Sequence, residues 1–479
     1  MKNKHNNRIF YMLVAFLLCV VMIVGCATAK TGSNADDIKI TAMDKEESEA
    51  ISFSFLGGKD VMPIGGYFGP YLTHTSRDGD VFPEYVSDEY FEMIADAGVN
   101  LVLHSNMSYS MNPDYVIKSL ELGEKYGVGI FVNDSNVLKY AGMEGVSAAD
   151  IGEEVANYSD YEAFCGMYLV DEPQAPYYMP GDGSRYISTY KELAKILQYD
   201  LNLTCYINMF PLSNIEENQE KYTQYVDEVC ETFNPTYLLW DKYPFDSADK
   251  LDVYFNNMDL MRTKAKELQI PFWTFIQAGG QWNDAREYFD SKLPYYPNEA
   301  QFNWNVNTCL AFGAQGLTYF PLIQPEHFAY AESTEWDFNR NGIIGAAGNK
   351  NQWYYYAQNI NKHIGAIDEV LMNSVNKGVI VNGKDAKKDT ELVECVIESG
   401  KFQELMSVSG DAMVGCFNYN GKTALYVVNY SMERSQKIDL QFNDTHKIEV
   451  IKNAKSSYVK AQNLQLDMAA GEGILLVVK

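Results

Sequence analysis

The chain has 479 residues, 47% of them hydrophobic, so it is long enough to bury the core of a large domain and of a smaller one. Its net charge of −26 and the lack of a basic stripe in the sequence argue against nucleic-acid binding. The six histidines are scattered and the six cysteines after Cys26 are widely spaced, without a CxxC pair or zinc-site spacing, so we expect no metal, no cofactor and no disulfide framework.

The N-terminus has the pattern of an export signal. Three cations in the first ten residues precede an apolar run, Met12 to Val24, that is too short to span a membrane comfortably. The run ends in Ile23-Val24-Gly25-Cys26, which resembles a bacterial lipoprotein signal in which cleavage leaves Cys26 as the lipidated first residue. We therefore expect a signal peptide at 1–25 and a flexible, acidic tether at 26–50, with an uncleaved anchor as the alternative.

From residue 51 to 374, short apolar strands alternate with helical segments. Eight strands are predicted, at 61–68, 99–104, 128–132, 166–170, 201–209, 236–240, 271–276 and 316–320. Helices are predicted at about 87–98, 112–127, 185–198, 222–233, 250–268, 298–312 and 352–371. This alternation predicts a (β/α)8 TIM barrel, an α/β fold. A doubly wound open sheet is the competitor, but no glycine-rich phosphate loop follows the first strand.

From residue 375 to 479 the pattern is all-β. Short β-prone segments are predicted at 378–381, 392–397, 412–418, 424–429, 437–442, 447–451 and 473–478. Asn420-Gly421, between two of them, is a strong signal for a two-residue hairpin. We expect a small, sandwich-like C-terminal β domain.

The stretch Phe164 to Pro173 carries the strongest chemical signal. It is a β-prone apolar run that ends in two adjacent acids, Asp171 and Glu172, and Pro173 stops the strand. Catalytic groups of barrel enzymes lie at the carboxyl ends of the strands. The alternative is a helix N-cap followed by a glutamate in the first turn.

Other predicted strands also end in polar side chains, and in a barrel these ends meet at one face. The candidates are Tyr67, His104, Asp134, Asn208, Asp241, Tyr243, Gln277 and Tyr319, accompanied by Trp240, Trp273 and Phe320. Carboxylates combined with amides and aromatic rings suit a sugar, whose C–H faces pack against rings. Glycoside cleavage needs a protonated acid on the leaving oxygen and a second group at the anomeric carbon. The set therefore predicts a carbohydrate site.

Three motifs carry a resemblance to a known group of enzymes. They are Tyr168-Leu-Val-Asp-Glu-Pro173, Asp241-Lys-Tyr-Pro-Phe245 and the run from Glu299 through Gly313 to Phe320. Together they resemble the barrel glycoside hydrolases of the β-galactosidase superfamily, in the broad sense of the family-42-like group, over about residues 60–370. The resemblance implies a TIM barrel, an oligo- or polysaccharide substrate and Glu172 as general acid/base.

Two departures from that superfamily leave the mechanism open. Asp171 stands where asparagine is usual, and Gln277 stands where the usual nucleophile is a glutamate. In a first mechanism Asp241 is the partner of Glu172, as nucleophile or as base. In a second, Asp171 orients a substrate acetamido group that attacks its own anomeric carbon, with Glu172 as the acid and Tyr243 in support. In a third, the site has lost its nucleophile and only binds glycan.

We therefore expect a lipid-anchored glycoside hydrolase at the bacterial cell surface, outside the cytoplasm, acting on a plant or host glycan. Glu172, Asp241 and Asp171 are its predicted catalytic residues, and the other strand-end residues are predicted to bind the sugar. A substrate-assisted N-acetylhexosaminidase and a non-catalytic carbohydrate-binding lipoprotein are the alternatives. Membrane attachment is expected only through the lipid on Cys26, and the β domain either binds glycan or braces the barrel.

Overall fold

The computed structural model describes residues 60–72, 74–75, 81–212, 215–245, 251–279, 297–324, 342–345 and 347–479. The predicted signal peptide, the tether and Cys26 lie outside these residues, so the lipid anchor stays a prediction. In the ranges that are described, no helix combines the length and the apolar character needed to cross a bilayer.

Eight parallel strands form the barrel that the alternation predicted. They are β1 (Ile64–Gly66), β2 (Leu101–Ser108), β3 (Gly129–Asn133), β4 (Phe164–Asp171), β5 (Cys205–Asn208), β6 (Leu238–Trp240), β7 (Phe272–Gln277) and β8 (Leu317–Phe320). Neighbours pair in the order β5-β4-β3-β2-β1-β8-β7-β6. A parallel bridge between Met209 and Trp240 closes the ring, and Met209 N donates to Leu239 O at 2.9 Å. These eight strands therefore form a closed barrel, which confirms the predicted fold.

The helices follow the strands around the barrel. They are α1 (Asp88–Asp96), α2 (Pro113–Tyr126), α3 (Ser135–Leu138), α4 (Ala148–Val155), α5 (Ile187–Lys195), α6 (Ile215–Phe233), α7 (Leu251–Leu268), α8 (Glu299–Phe312), α9 (Gln352–Ile364) and α10 (Asp368–Met372). The end signals read from the sequence apply: Pro113 starts α2 and Gly127, at φ 72°, ends it. Two short helices, α3 and α4, were not predicted. The predicted helix at 352–371 is two helices, because the chain leaves helical geometry after Gly365.

Side chains of the barrel strands alternate between two cores. One fills the barrel interior and contains Leu101, Leu103, Phe131, Tyr206, Tyr237, Leu239, Trp273 and Phe275. Their neighbours in sequence, such as Ile207, Trp240 and Ile276, pack outward against the helices. Because successive strand residues point to opposite faces, the residue two positions beyond an interior one again faces the barrel axis. This places Asn208, Asp241 and Gln277 at the carboxyl end of the barrel, which we call its mouth.

The C-terminal domain is an antiparallel sheet with a short helix, α11 (Lys384–Asp389). Its strands are β9 (Ser374–Asn382), β10 (Leu405–Ser409), β11 (Ala412–Tyr419), β12 (Lys422–Asn429), β13 (Gln436–Lys452), β14 (Lys455–Met468) and β15 (Gly473–Val478). They pair in the order β9-β11-β12-β15-β13-β10, and β14 also pairs with β13. The first part of β13 pairs with β10 and its last part with β15, so the sheet folds over a second core. The sandwich-like prediction is confirmed.

Details of this domain differ from the predicted segments. Tyr419 pairs with Lys422 across Asn420-Gly421, both at positive φ, as the hairpin signal predicted. The predicted strand at 392–397 is wrong, because only an isolated bridge, Val379 to Val396, forms there. The predicted segments at 437–442 and 447–451 are one strand. The missed strand β14 is exposed along most of its length, so its sequence lacks apolar alternation.

Barrel and β domain belong to one compact unit and share a continuous hydrophobic core. Helix α8 lies between barrel strand β7 and strands β11 and β12, and from Trp304 to Phe312 every side chain is buried. Asn307 in the middle of α8 accepts a hydrogen bond from Tyr426 OH at 2.7 Å and donates to Gly471 O at 2.7 Å. These contacts support a bracing role for the β domain.

Candidate active site

Asp171 ends β4 at the mouth, and both its carboxylate oxygens accept hydrogen bonds. Tyr67 OH donates to Oδ2 at 2.8 Å and Asn208 Nδ2 donates to Oδ1 at 2.9 Å. The same Asn208 amide donates to Asp241 Oδ1 at 3.0 Å. Because both bonds come from Asn208 Nδ2, Asp171 Oδ1 and Asp241 Oδ1 are at most 5.9 Å apart, the sum of the two distances. The helix-cap alternative is excluded, because the next helix begins only at Ile187.

Glu172 follows Asp171 in a left-handed backbone conformation, with φ 50°. A non-glycine residue held there costs about 1–3 kcal/mol, and such residues concentrate at functional sites. Its N–H donates to Asn208 O at 2.8 Å, and its side chain is 29% exposed. Arg185 Nη1 lies 3.8 Å from Glu172 Oε2 and donates to Asp171 O at 3.2 Å. Glu172 is thus a partly accessible acid beside one guanidinium.

The pKa values of the three acids are all raised above the ordinary carboxyl range. Burial, and then the charges of Asp241 and Asp171, raise the pKa of Glu172 to about 9, against the opposing effect of Arg185. Burial and the charge of Asp171 raise the pKa of Asp241 to about 7, although the hydrogen bond from Asn208 opposes this. Burial also raises the pKa of Asp171, which its hydrogen bonds from Asn208 and Tyr67 counteract. Glu172 therefore keeps its proton at neutral pH more readily than Asp241 does.

Four aromatic rings lie next to the carboxylates, those of Tyr67, Tyr243, Phe275 and Phe320. Ring centroids of Tyr67 lie 5.7 Å from Phe275 and 5.8 Å from Phe320, and Tyr243 lies 5.7 Å from Phe320. Tyr67, Tyr243 and Phe320 are partly exposed. Apolar ring surface next to carboxylates fits the faces of a sugar, and the roles of Tyr67 and Tyr243 in binding stay predictions.

Gln277 faces the axis as the alternation requires, but it is fully buried. Its Oε1 accepts a hydrogen bond from Phe245 N at 3.3 Å, and its Nε2 donates to Gly279 O at 3.3 Å. Its side chain ties together the segments that follow β6 and β7. We therefore infer that Gln277 stabilises the conformation of these two segments at the mouth, although it was predicted to bind substrate.

Two predicted binding residues face away from the barrel interior. Trp240 is fully buried in the core between strands and helices, next in sequence to the interior residue Leu239. Tyr319 is also fully buried and donates a hydrogen bond to Asn361 Oδ1 on α9 at 2.6 Å. The period-two rule assigns both to the outer face, so the sequence already contained this signal.

Three more predicted binding residues are enclosed. Asp134 is the N-cap of α3, accepting from Asn136 N at 2.9 Å, and is fully buried. Trp273 lies inside the barrel with its ring 4.0 Å from that of Tyr237. His104 is fully buried, burial lowers its pKa to about 3, and neither ring nitrogen has a hydrogen-bond partner in the described part of the chain. None of the three offers surface to a substrate, so we assign none of them to binding.

Sequence reasoning missed Arg185 and Phe275. Phe275 was identifiable, because it precedes Gln277 by two positions on the same strand and so shares its face. Arg185 lies in the loop between β4 and α5, where only the folded loop brings it to Glu172. Among the described residues, no group of three His, Cys, Asp or Glu side chains is arranged to hold a metal ion.

No family model and no curated protein matches this sequence. Several solved structures are similar in fold. A glucosidase from Croceicoccus marinus is 10% identical over 87% of this chain and 95% of its own, with a TM-score of 0.42. A β-galactosidase from Marinomonas ef1 is 11% identical over 67% and 63%, with a TM-score of 0.44. A family 51 α-L-arabinofuranosidase from Bifidobacterium longum is 10% identical over 88% and 96%, with a TM-score of 0.45. Similarity at this level carries no argument about activity.

Proposed function

We propose that the protein is a glycoside hydrolase in which Glu172 is the general acid and Asp241 the second catalytic carboxylate. The observation that carries the proposal is the group of three acids at the mouth of the barrel, whose environments hold the pKa of Glu172 at about 9 and that of Asp241 at about 7. Two carboxyl groups with different affinities for a proton can take the acid and the nucleophile or base roles at one pH.

The remaining residues have supporting roles in this proposal. Glu172 protonates the glycosidic oxygen, and ionised Asp241 acts on the anomeric carbon, directly or through a water molecule. Asp171 anchors Tyr67 and Asn208, and Asn208 orients Asp241 through its second N–H. Because Gln277 is buried and bound to backbone groups, Asp241 is the better candidate for the group opposite Glu172.

A substrate-assisted N-acetylhexosaminidase is the second candidate. It is favoured by the position of Asp171, which is next to Glu172 and held by two hydrogen bonds, so that it could orient an acetamido group. Only substrates with an N-acetyl group would then be cleaved, and Asp241→Asn would have a smaller effect than Asp171→Asn.

The test is hydrolysis of a panel of aryl glycosides, including N-acetylhexosaminides, by the wild type and by Glu172→Gln and Asp241→Asn. Glu121→Gln, an exposed acid on α2, is the matched control. We expect one class of sugar to be cleaved, with large losses in the two site variants and none in the control. Inversion at the anomeric carbon, read by NMR, would identify Asp241 as base. Retention on a substrate that has no N-acetyl group would identify it as nucleophile. Glycan binding without turnover on any substrate would refute the hydrolase and favour the binding protein.

We also propose that the enzyme is displayed at the bacterial cell surface on a lipid attached to Cys26, where it meets plant or host glycan. The proposal is supported by the basic and apolar segments before Cys26. Incorporation of labelled palmitate into the expressed wild type, lost in Cys26→Ala, is the expected result. Equal labelling of both proteins would contradict it.

A further inference from the structure

Tyr225, on α6 behind the site, connects the ends of two barrel strands. Its ring is fully buried, and its hydroxyl has two backbone partners. It donates a hydrogen bond to Pro173 O at 2.8 Å and accepts one from Phe210 N at 3.2 Å. Pro173 follows the proposed acid directly, and Phe210 lies two residues after Asn208. One hydroxyl thus joins the chain after β4 to the chain after β5.

The chain at Glu172 needs such support. Glu172 is in the left-handed region, and the residue before a proline is normally restricted to extended conformations, so its backbone is strained for two reasons. A strained conformation persists only where the surrounding contacts hold it. Here the contacts are the hydrogen bond from Glu172 N to Asn208 O and the two bonds of the Tyr225 hydroxyl.

We propose that Tyr225 is a positioning residue for Glu172. The Tyr225 hydroxyl stabilises the strained turn at Glu172, and this turn directs the Glu172 carboxyl toward Asp241 and Asp171. The inference rests on the proposed function, because it assigns a support to its acid. Without the hydroxyl, Pro173 O loses its partner, and the turn at Glu172 can relax to an extended conformation. The carboxyl then moves away from the neighbouring acids and toward water.

This movement has a direction that can be measured. Burial, as the largest cause, and the charges of Asp241 and Asp171 raise the pKa of Glu172 and outweigh the opposing effect of Arg185, so a more exposed carboxyl would have a lower pKa. Activity that depends on protonated Glu172 falls as the pH rises through that pKa. Losing the Tyr225 hydroxyl should therefore move the basic limb of the pH–rate profile to lower pH.

The same helix provides a matched control. Tyr222 lies one turn earlier on α6, is also fully buried, and has its ring centroid 6.0 Å from that of Tyr225. Its hydroxyl, however, has no hydrogen-bond partner in the described part of the chain. Tyr222→Phe and Tyr225→Phe are therefore the same chemical change in the same core, and only the second removes the connection to Pro173.

The experiment compares kcat, KM and the pH–rate profile of both variants with the wild type. For Tyr225→Phe we expect kcat to fall about tenfold or more, a part of the 10²–10⁴-fold that a general acid contributes, with KM unchanged. The basic limb should shift down by about one pH unit, within the range that burial produces. Tyr222→Phe should match the wild type. An unshifted profile for Tyr225→Phe, or the same loss in both variants, would overturn the proposal.

A titration without substrate separates this inference from the proposed function. The infrared band of the Glu172 carboxyl, identified by difference from Glu172→Gln, gives its pKa directly in wild type and in Tyr225→Phe. A lower pKa in Tyr225→Phe supports the positioning role even if the wild type hydrolyses no glycoside, in which case only the proposed function fails. Identical titrations overturn the positioning role even if the wild type is an active hydrolase.

Discussion

The replacement of Glu172 by glutamine tests the central chemical claim, because it keeps the shape of the side chain and removes its proton. With a pKa of about 9, roughly 99% of the wild-type molecules hold the proton at pH 7, against about 0.3% for a glutamate with the ordinary pKa of 4.5. The site thus keeps Glu172 largely in its acid form at a pH where an ordinary glutamate is ionised, as a general acid requires.

The size of the loss should depend on the leaving group. We expect kcat of Glu172→Gln to fall by about 10²–10⁴ on a phenyl glycoside, whose leaving group needs protonation, and to change little on a dinitrophenyl glycoside. The wild type should lose activity as the pH rises through about 9, because Glu172 acts in its protonated form, and the variant should lack this limb.

The assay is steady-state hydrolysis of both substrates between pH 5 and about 10, on either side of the pKa. Glu121→Gln, changed at an exposed position, should keep the wild-type profile. Equal losses of Glu172→Gln on the two substrates, or a basic limb that survives in this variant, would refute the assignment of Glu172 as the acid.

Three further predictions concern the groups around the acid and the strand that precedes it. Arg185→Ala should raise the pKa of Glu172 and move the basic limb to higher pH, because the guanidinium favours the ionised form; an unmoved limb in the pH–rate profile would contradict this. Gly166→Ala should lower the free energy of unfolding by about 2 kcal/mol or more in urea denaturation. The reason is that Gly166 has φ 148° and that a Cβ there would overlap a backbone carbonyl oxygen. Gly127→Ala, where the added Cβ has no atom within 4 Å, should cost less. Asp241→Asn should raise Tm relative to the wild type by an amount that grows between pH 4 and about 7. The reason is that the stability provided by protonated Asp241 is lost from the wild type as the pH rises through its pKa of about 7. A Tm difference that stays constant with pH in calorimetry would contradict this.

The barrel could be predicted because its strands and helix ends are determined by local sequence patterns. Apolar runs that alternate with capped helices determine the order of the elements. The alternation of successive strand residues between the two faces, which we call strand parity, determines which side chains face the barrel axis. Applied to every strand, parity would have separated Asn208 and Asp241, which reach the mouth, from Trp240 and Tyr319, which face the helices. These two errors came from choosing strand-end residues by chemical type alone.

Other features depend on contacts between distant parts of the chain. Arg185 reaches Glu172 only through the folded loop before α5, and the depth of Trp273 inside the barrel depends on the register of neighbouring strands. The strained φ of Glu172 is likewise set by partners on β5 and α6. Local sequence patterns do not contain this information.

Helix α8 has a consequence for how the gene can be rearranged. Since this helix is covered by barrel strands on one side and by the β domain on the other, a protein cut before Ser374 would expose a row of aromatic and aliphatic side chains to water. Such a fragment would be prone to aggregation, and a barrel grafted onto a foreign partner would need a new cover for this helix. The two halves are thus expected to be inherited as one module, and not exchanged separately by recombination.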